Sequence, residues 1–119
     1  MGKGKSKNDA PMLAVMDIGA HLARLQISQA TADGGLETLE TVSQPLPLGA
    51  GLYGPSPQIS AAEMRLVGAV VCDFNRLLRD YRVAACKAVI TGAVREAGNL
   101  DMFVDCVRQI SGVTLEVLE

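Results

Sequence analysis

Between Met12 and Ile27 the chain reads MLAVMDIGAHLARLQI: an apolar run (Leu13, Ala14, Val15, Met16), an acid, a glycine, and a second apolar run (Leu22, Ala23, Leu25, Ile27). Two short apolar runs on either side of a glycine predict strand, turn, strand. One carboxylate, Asp17, is then left at the mouth of the first strand, close to Gly19, where no Cβ keeps a ligand away from the backbone. Such a corner suits a phosphate or a metal-bound phosphate. An Asp with a Gly close behind also makes an ordinary hairpin turn, so the rest of the chain has to separate the two readings.

Following the second run, which extends to Ala30, Ala32-Asp33-Gly34-Gly35 is a turn signal. Leu36 to Ser43, with Leu39, Thr41 and Val42 among polar residues, predicts a less buried outer strand. Three strands joined by tight turns make an antiparallel meander. Gln44 to Pro57, rich in proline and glycine, predicts a loop of irregular backbone. Ser60 followed by Glu63 is a capping-box pair that opens an amphipathic helix. Val67, Val70, Val71, Phe74, Leu77, Leu78 and Tyr81 form its apolar face, opposite Arg65, Asp73, Arg76, Arg79 and Asp80, with Arg76 and Asp80 one turn apart and able to pair.

Cys86 to Thr91 predicts a short buried strand after that helix, hence a crossover onto the same sheet. Gly92 to Ala97 predicts a short helical segment, and Asn99 or Asp101 opens a second helix with Phe103, Val107 and Ile110 on one side, ending at Gly112. Val113, Leu115 and Val117 alternate with polar residues as a last strand. The expected fold class is α/β, ordered β-β-β-α-β-α-β, an antiparallel meander plus parallel crossovers in one mixed sheet.

At 119 residues this is one domain at most, short for a complete two-lobed enzyme. Hydrophobic residues are 49% and charged residues 20%, so the body can fold; aromatics are 3%, too few for a base-stacking platform. A formal net charge of −2 argues against a nucleic-acid coat and places any anion recognition in a local site. Three widely spaced cysteines, Cys72, Cys86 and Cys106, with a single His, argue against zinc and a disulfide framework; a reducing cytoplasm is the expected compartment. No run reaches the length of a membrane span, and no secretory signal follows the early lysines. Residues 1–11, with Lys3, Lys5, Lys7 and a closing proline, are expected to be a disordered basic tail; weak attraction to an anionic polymer or surface is the alternative.

Thr91 to Arg95 falls where a strand ends and a helical turn starts. Unpaired N–H groups and the local dipole favour an anion there, and Arg95 brings a guanidinium fork suited to phosphate oxygens. Two readings stand side by side: a phosphate seat, or a helix cap at Thr91 with Arg95 paired to a surface carboxylate.

From Met12 to Glu119 the chain resembles the N-terminal part of the exopolyphosphatase and guanosine pentaphosphate phosphohydrolase (Ppx/GppA) family, within the actin, sugar-kinase and heat-shock ATPase superfamily. The matching pieces are AVMDIG with Arg24 and Leu25, GGLETLE with SQPLPLG, Ile59-Ser60, FNRLL, TGAVREA with Asn99, and RQISGVTLEVLE. The resemblance implies an RNase H-like half-lobe whose partner lobe closes over a phosphate chain and Mg2+. It also implies hydrolysis of a terminal phosphoanhydride of polyphosphate or guanosine pentaphosphate. Carried onto this sequence, it places Asp17, Gly19, Ala20, His21, Thr91, Gly92 and Arg95 on the phosphate cleft, with Asp17 near metal through the phosphate.

Two departures qualify that expectation. Where the family has Ser-Asn-Ser after its D-x-G, this chain has Ala20-His21-Leu22, so both hydroxyls are lost; His21 either donates to phosphate from its ring or is a turn residue facing water. The family's later segments, one with the catalytic glutamate and one a second phosphate loop, have no match in residues 12–119. Residues 12–119 are therefore expected to be an incomplete N-terminal lobe, inactive by itself. The alternatives are a non-catalytic phosphate-binding or assembly module, paired with itself or a complementary lobe through an open sheet edge, and a plain fold without a ligand.

Overall fold

The structure is a computed structural model that describes residues 10–118. Its elements are β1 (Met12–Ile18), β2 (Leu22–Ala30), β3 (Leu36–Pro45), α1 (Gly49–Leu52), α2 (Ala61–Asp80), β4 (Ala85–Ile90), a 3₁₀ turn (Gly92–Glu96), α3 (Leu100–Ser111) and β5 (Glu116–Val117). All five strands join one sheet in the order β3-β2-β1-β4-β5. The first three pair antiparallel, and β4 lies parallel to both β1 and β5. This is the mixed α/β sheet the sequence predicts.

Strand periodicity decides what the sheet presents on each side. Ala14, Met16 and Ile18 of β1 are buried, as are Ala23, Leu25 and Ile27 of β2 and Ala88 and Ile90 of β4. They pack with Met64, Val67, Val71 and Phe74 of α2 and Phe103 and Val107 of α3 in one core. The residues between them face the other way: Val15 is 48% exposed, and Arg24, Gln26 and Lys87 are exposed as well. Asp17 falls in this second set.

α2 starts with both halves of the capping box: the Ser60 hydroxyl accepts from the Glu63 N–H (3.0 Å), and the Glu63 carboxylate accepts from the Ser60 N–H (2.9 Å). α3 ends at Gly112, whose φ of 79° supplies the left-handed C-cap.

The structure departs from the sequence reading in several places. The proline-glycine segment contains a helical turn, α1. The 92–96 segment is 3₁₀, and the last strand is two residues long. Arg76 pairs with Asp73, three residues back, instead of Asp80, because the i,i+3 carboxylate lies within its reach. Asn99 stands at the N-cap of α3 as expected, but its side chain makes no capping bond there; it clamps the backbone of Ile59, donating to the carbonyl (2.7 Å) and accepting from the N–H (3.0 Å). Of the expected tail, residues 1–9 lie outside the described residues, while the Pro11 carbonyl accepts from the Ala30 N–H at 3.1 Å. No helix among the described residues is long and apolar enough to cross a membrane.

Candidate functional site

β1 and β4 run parallel, so their C-terminal ends lie side by side, with Ile18 opposite Ile90. Both of these point into the core. Asp17 and Thr91, each one position removed, therefore point to the opposite face and meet: the Thr91 hydroxyl donates to Asp17 Oδ1 at 2.5 Å. That bond, between a hydroxyl and a carboxylate 74 residues apart, is charge-assisted and short. Thr91 stands at the N-cap of the following turn, but its side chain, turned to Asp17, makes no capping bond there.

Around this pair lies an open cavity of about 200 Å³ lined by Asp17, Gly19, His21, Leu22, Arg24 and Thr91. The Gly19 N–H donates to the Leu22 carbonyl (2.9 Å), closing the turn between β1 and β2. A Cβ on Gly19 would meet only ordinary contacts, 3.4 Å from the Leu22 carbonyl and 3.7 Å from the Thr91 hydroxyl. Neither packing nor a positive φ demands glycine there; what its missing side chain leaves clear is the space beside Thr91.

Arg24, which the sequence marks only as part of the family resemblance, is brought to the cavity by the structure. It faces Asp17 directly across the antiparallel β1–β2 pair, and among the described residues its side chain makes no ion pair. The signal was present but indirect: with four residues, 19–22, between the paired Ile18 and Ala23, counting outward pairs position 17 with position 24. His21 also lines the cavity, stacked on Tyr53, with its Nε2 3.2 Å from the Tyr53 hydroxyl oxygen.

Three other residues selected in the sequence do not reach the cavity wall. Ala20 is buried, because its carbonyl accepts from the Leu48 N–H (3.1 Å) and its methyl is turned into the core. Gly92, at φ 63°, is exposed and turns the chain into the 3₁₀ segment. Arg95 is held by backbone carbonyls, donating from Nε to Gly92 (3.2 Å) and from a terminal nitrogen to Leu118 (2.9 Å). Its guanidinium thus ties the turn to the end of β5, and no surface carboxylate holds it.

Among the described residues no three of His, Cys, Asp and Glu come together to hold a metal. Asp17 is the one carboxylate lining the cavity. One carboxylate suits a magnesium held jointly with waters and substrate phosphates, not a cage of protein ligands.

An α/β lobe with a polar corner where two parallel strands end is the class of protein that fold and cavity define. The model of the Ppx/GppA phosphatase family matches residues 27–119, and the chain belongs to that family. It is 27% identical over 115 residues to a guanosine-5'-triphosphate,3'-diphosphate pyrophosphatase of Aliivibrio fischeri, across 97% of this chain and 23% of that protein. Among solved structures it is similar to the Ppx/GppA family member of Aquifex aeolicus, with a TM-score of 0.82 and 27% identity over 91% of this chain and 35% of that one. An exopolyphosphatase from Cytophaga hutchinsonii shares the fold at a TM-score of 0.79 and 22% identity, over 90% of this chain and 34% of that one. The chain spans about a quarter of the length of the curated relatives it matches, 23%.

Proposed function

We propose that this chain forms one wall of a phosphate cleft in a phosphoanhydride hydrolase, seating the end of a phosphate chain against Gly19, Thr91 and Arg24. Polyphosphate and guanosine pentaphosphate are the substrate classes, taken from the family and from the names of its relatives. One observation carries the reading: the Asp17–Thr91 bond joins the ends of two parallel strands inside an open cavity that also holds an ion-pair-free arginine. The Arg24 guanidinium is a donor suited to phosphate oxygens, the absent Cβ at Gly19 leaves room for them, and the Thr91 hydroxyl, which donates to Asp17, can turn to phosphate only by giving up that bond. Magnesium, on this reading, enters with the phosphate chain and is held mainly by its oxygens.

Asp17, the one carboxylate of the cavity, accepts from Thr91, and the His21 ring lines the cavity beside it. On this reading both serve binding, and water is activated by the family segments that have no match here, so the chain alone is expected to bind and not to turn over. Amide-shift mapping with tripolyphosphate, with and without magnesium, tests this: shifts confined to Gly19, Arg24 and Thr91–Gly92 with no orthophosphate released are expected. Silence at all of these, or steady phosphate release by the pure chain, would contradict it.

A second reading, assembly through the sheet edge, draws on β3, a ten-residue edge strand whose one strand partner among the described residues is β2. Light scattering decides it, since a monomer at high concentration would remove self-association.

A further inference from the structure

His21 is more firmly held than a turn residue facing water needs to be. Its carbonyl accepts from the Leu46 N–H at 2.9 Å, which fixes the backbone of the turn against the segment after β3. Its ring stacks on Tyr53, with centroids 5.6 Å apart and planes at 22°, and Nε2 meets the Tyr53 hydroxyl. Beneath both rings lies Gly49, where a Cβ would stand 2.5 Å from His21 Cε1 and 3.2 Å from Tyr53 Cε2. A glycine at the start of α1 is thus the seat that lets the two rings lie together. Tyr53 itself is 66% exposed, so burial is not what places it there.

The charge around the ring makes this arrangement consequential. The charged groups that share its cavity are Asp17 on β1 and Arg24 on β2, one of each sign. The segment 45–58 behind it, α1 included, contains no charged residue and brings only the Tyr53 hydroxyl. Thr91 brings none. With the two fixed charges opposed, the protonation state of His21 decides whether the cavity is neutral or carries a net positive charge.

We propose that Tyr53 is a positioning residue for this cleft: it holds the His21 imidazole beside Arg24, where the protonated ring is the second cation for a phosphate chain on the Gly19–Thr91 corner. Proton uptake by His21 and phosphate binding are then linked, each favouring the other. The proposal rests on the phosphate-cleft reading above and adds to it a residue pair that takes the place of hydroxyl donors in the turn.

His21 is the single histidine of the chain, so its ring proton on Cε1 reports this one titration by NMR. The experiment follows that resonance against pH in the full chain, with tripolyphosphate and with sulfate at equal ionic strength, while the Gly19 and Thr91 amides report occupancy. Tripolyphosphate is expected to raise the His21 midpoint by about half a pH unit over sulfate, the shift of a several-fold affinity difference between the two protonation states. In Tyr53→Phe the rise is expected to shrink to less than about half of that, with the amide shifts retained. A midpoint that stays put while the Gly19 and Thr91 amides move would overturn the linkage and leave the cleft standing. A Tyr53→Phe rise equal to that of the unsubstituted chain would overturn the role of Tyr53. If the amides themselves do not respond, the cleft reading falls and this one with it.

Discussion

At the scale of single residues, the Thr91–Asp17 bond ties the ends of β1 and β4 together at the cavity. Thr91→Val keeps the β-branched shape and removes the hydroxyl, so the Asp17 carboxylate loses its charge-assisted partner and its unmasked charge opposes a phosphate in the cleft. A loss of about tenfold in tripolyphosphate affinity is expected, with Thr91→Ser retaining most of it. Gly92→Ala tests a different requirement: at φ 63° a Cβ is strained, at a cost of about 1 kcal/mol in urea unfolding. Asp17, Gly19 and Thr91 were legible in the sequence because each stands at the end of an apolar run, where strand periodicity gives a direction. The orientation of Arg95 was not legible, since it depends on the carbonyl of Leu118, 23 residues away. Arg24 escaped selection because its place follows from strand register, which the apolar pattern shows only once the turn length is known.

Between elements, Asn99 does what a backbone partner would do, pairing both polar groups of Ile59 just ahead of α2. Asn99→Ala leaves that N–H and C=O without partners in a part-buried position, and a loss of about 1–3 kcal/mol is expected by denaturant titration. The β2–β3 turn carries a pH-dependent contact. Asp33 accepts from the Thr31 hydroxyl and from the Gly35 N–H (3.1 Å), and these bonds, the hydroxyl's first, hold its carboxyl below the ordinary 3.8. A depressed folded value means the contribution is present above 3.8 and is lost as pH falls through the folded value. The Gly35 amide resonance should therefore move below about pH 4 while the core amides stay put; a Gly35 amide indifferent to pH would remove the contact. The long helix was readable from its capping box and apolar spacing. The α1 turn was not, because nothing local distinguishes a proline-glycine loop from one whose Gly49 carries two stacked rings. Nor was the two-residue length of β5, which is set by its pairing with only Val89 and Ile90.

Taken whole, the molecule is a five-stranded sheet with its helices packed on one face and its charged corner on the other. Order and direction of the strands were legible because alternating strand patterns and one long amphipathic helix admit few arrangements. The chemistry was legible only as far as the corner, since the cavity formed by these residues contains binding groups and no unengaged carboxylate. On the proposed reading this chain contributes phosphate recognition to a hydrolase cleft. The most direct measurement is calorimetric titration of the chain and its Thr91→Val variant with tripolyphosphate, with orthophosphate assayed in the same samples. Binding by the chain, about tenfold weaker in the variant and without phosphate release, is the predicted result. Equal affinity in both, or no heat in either, would contradict it.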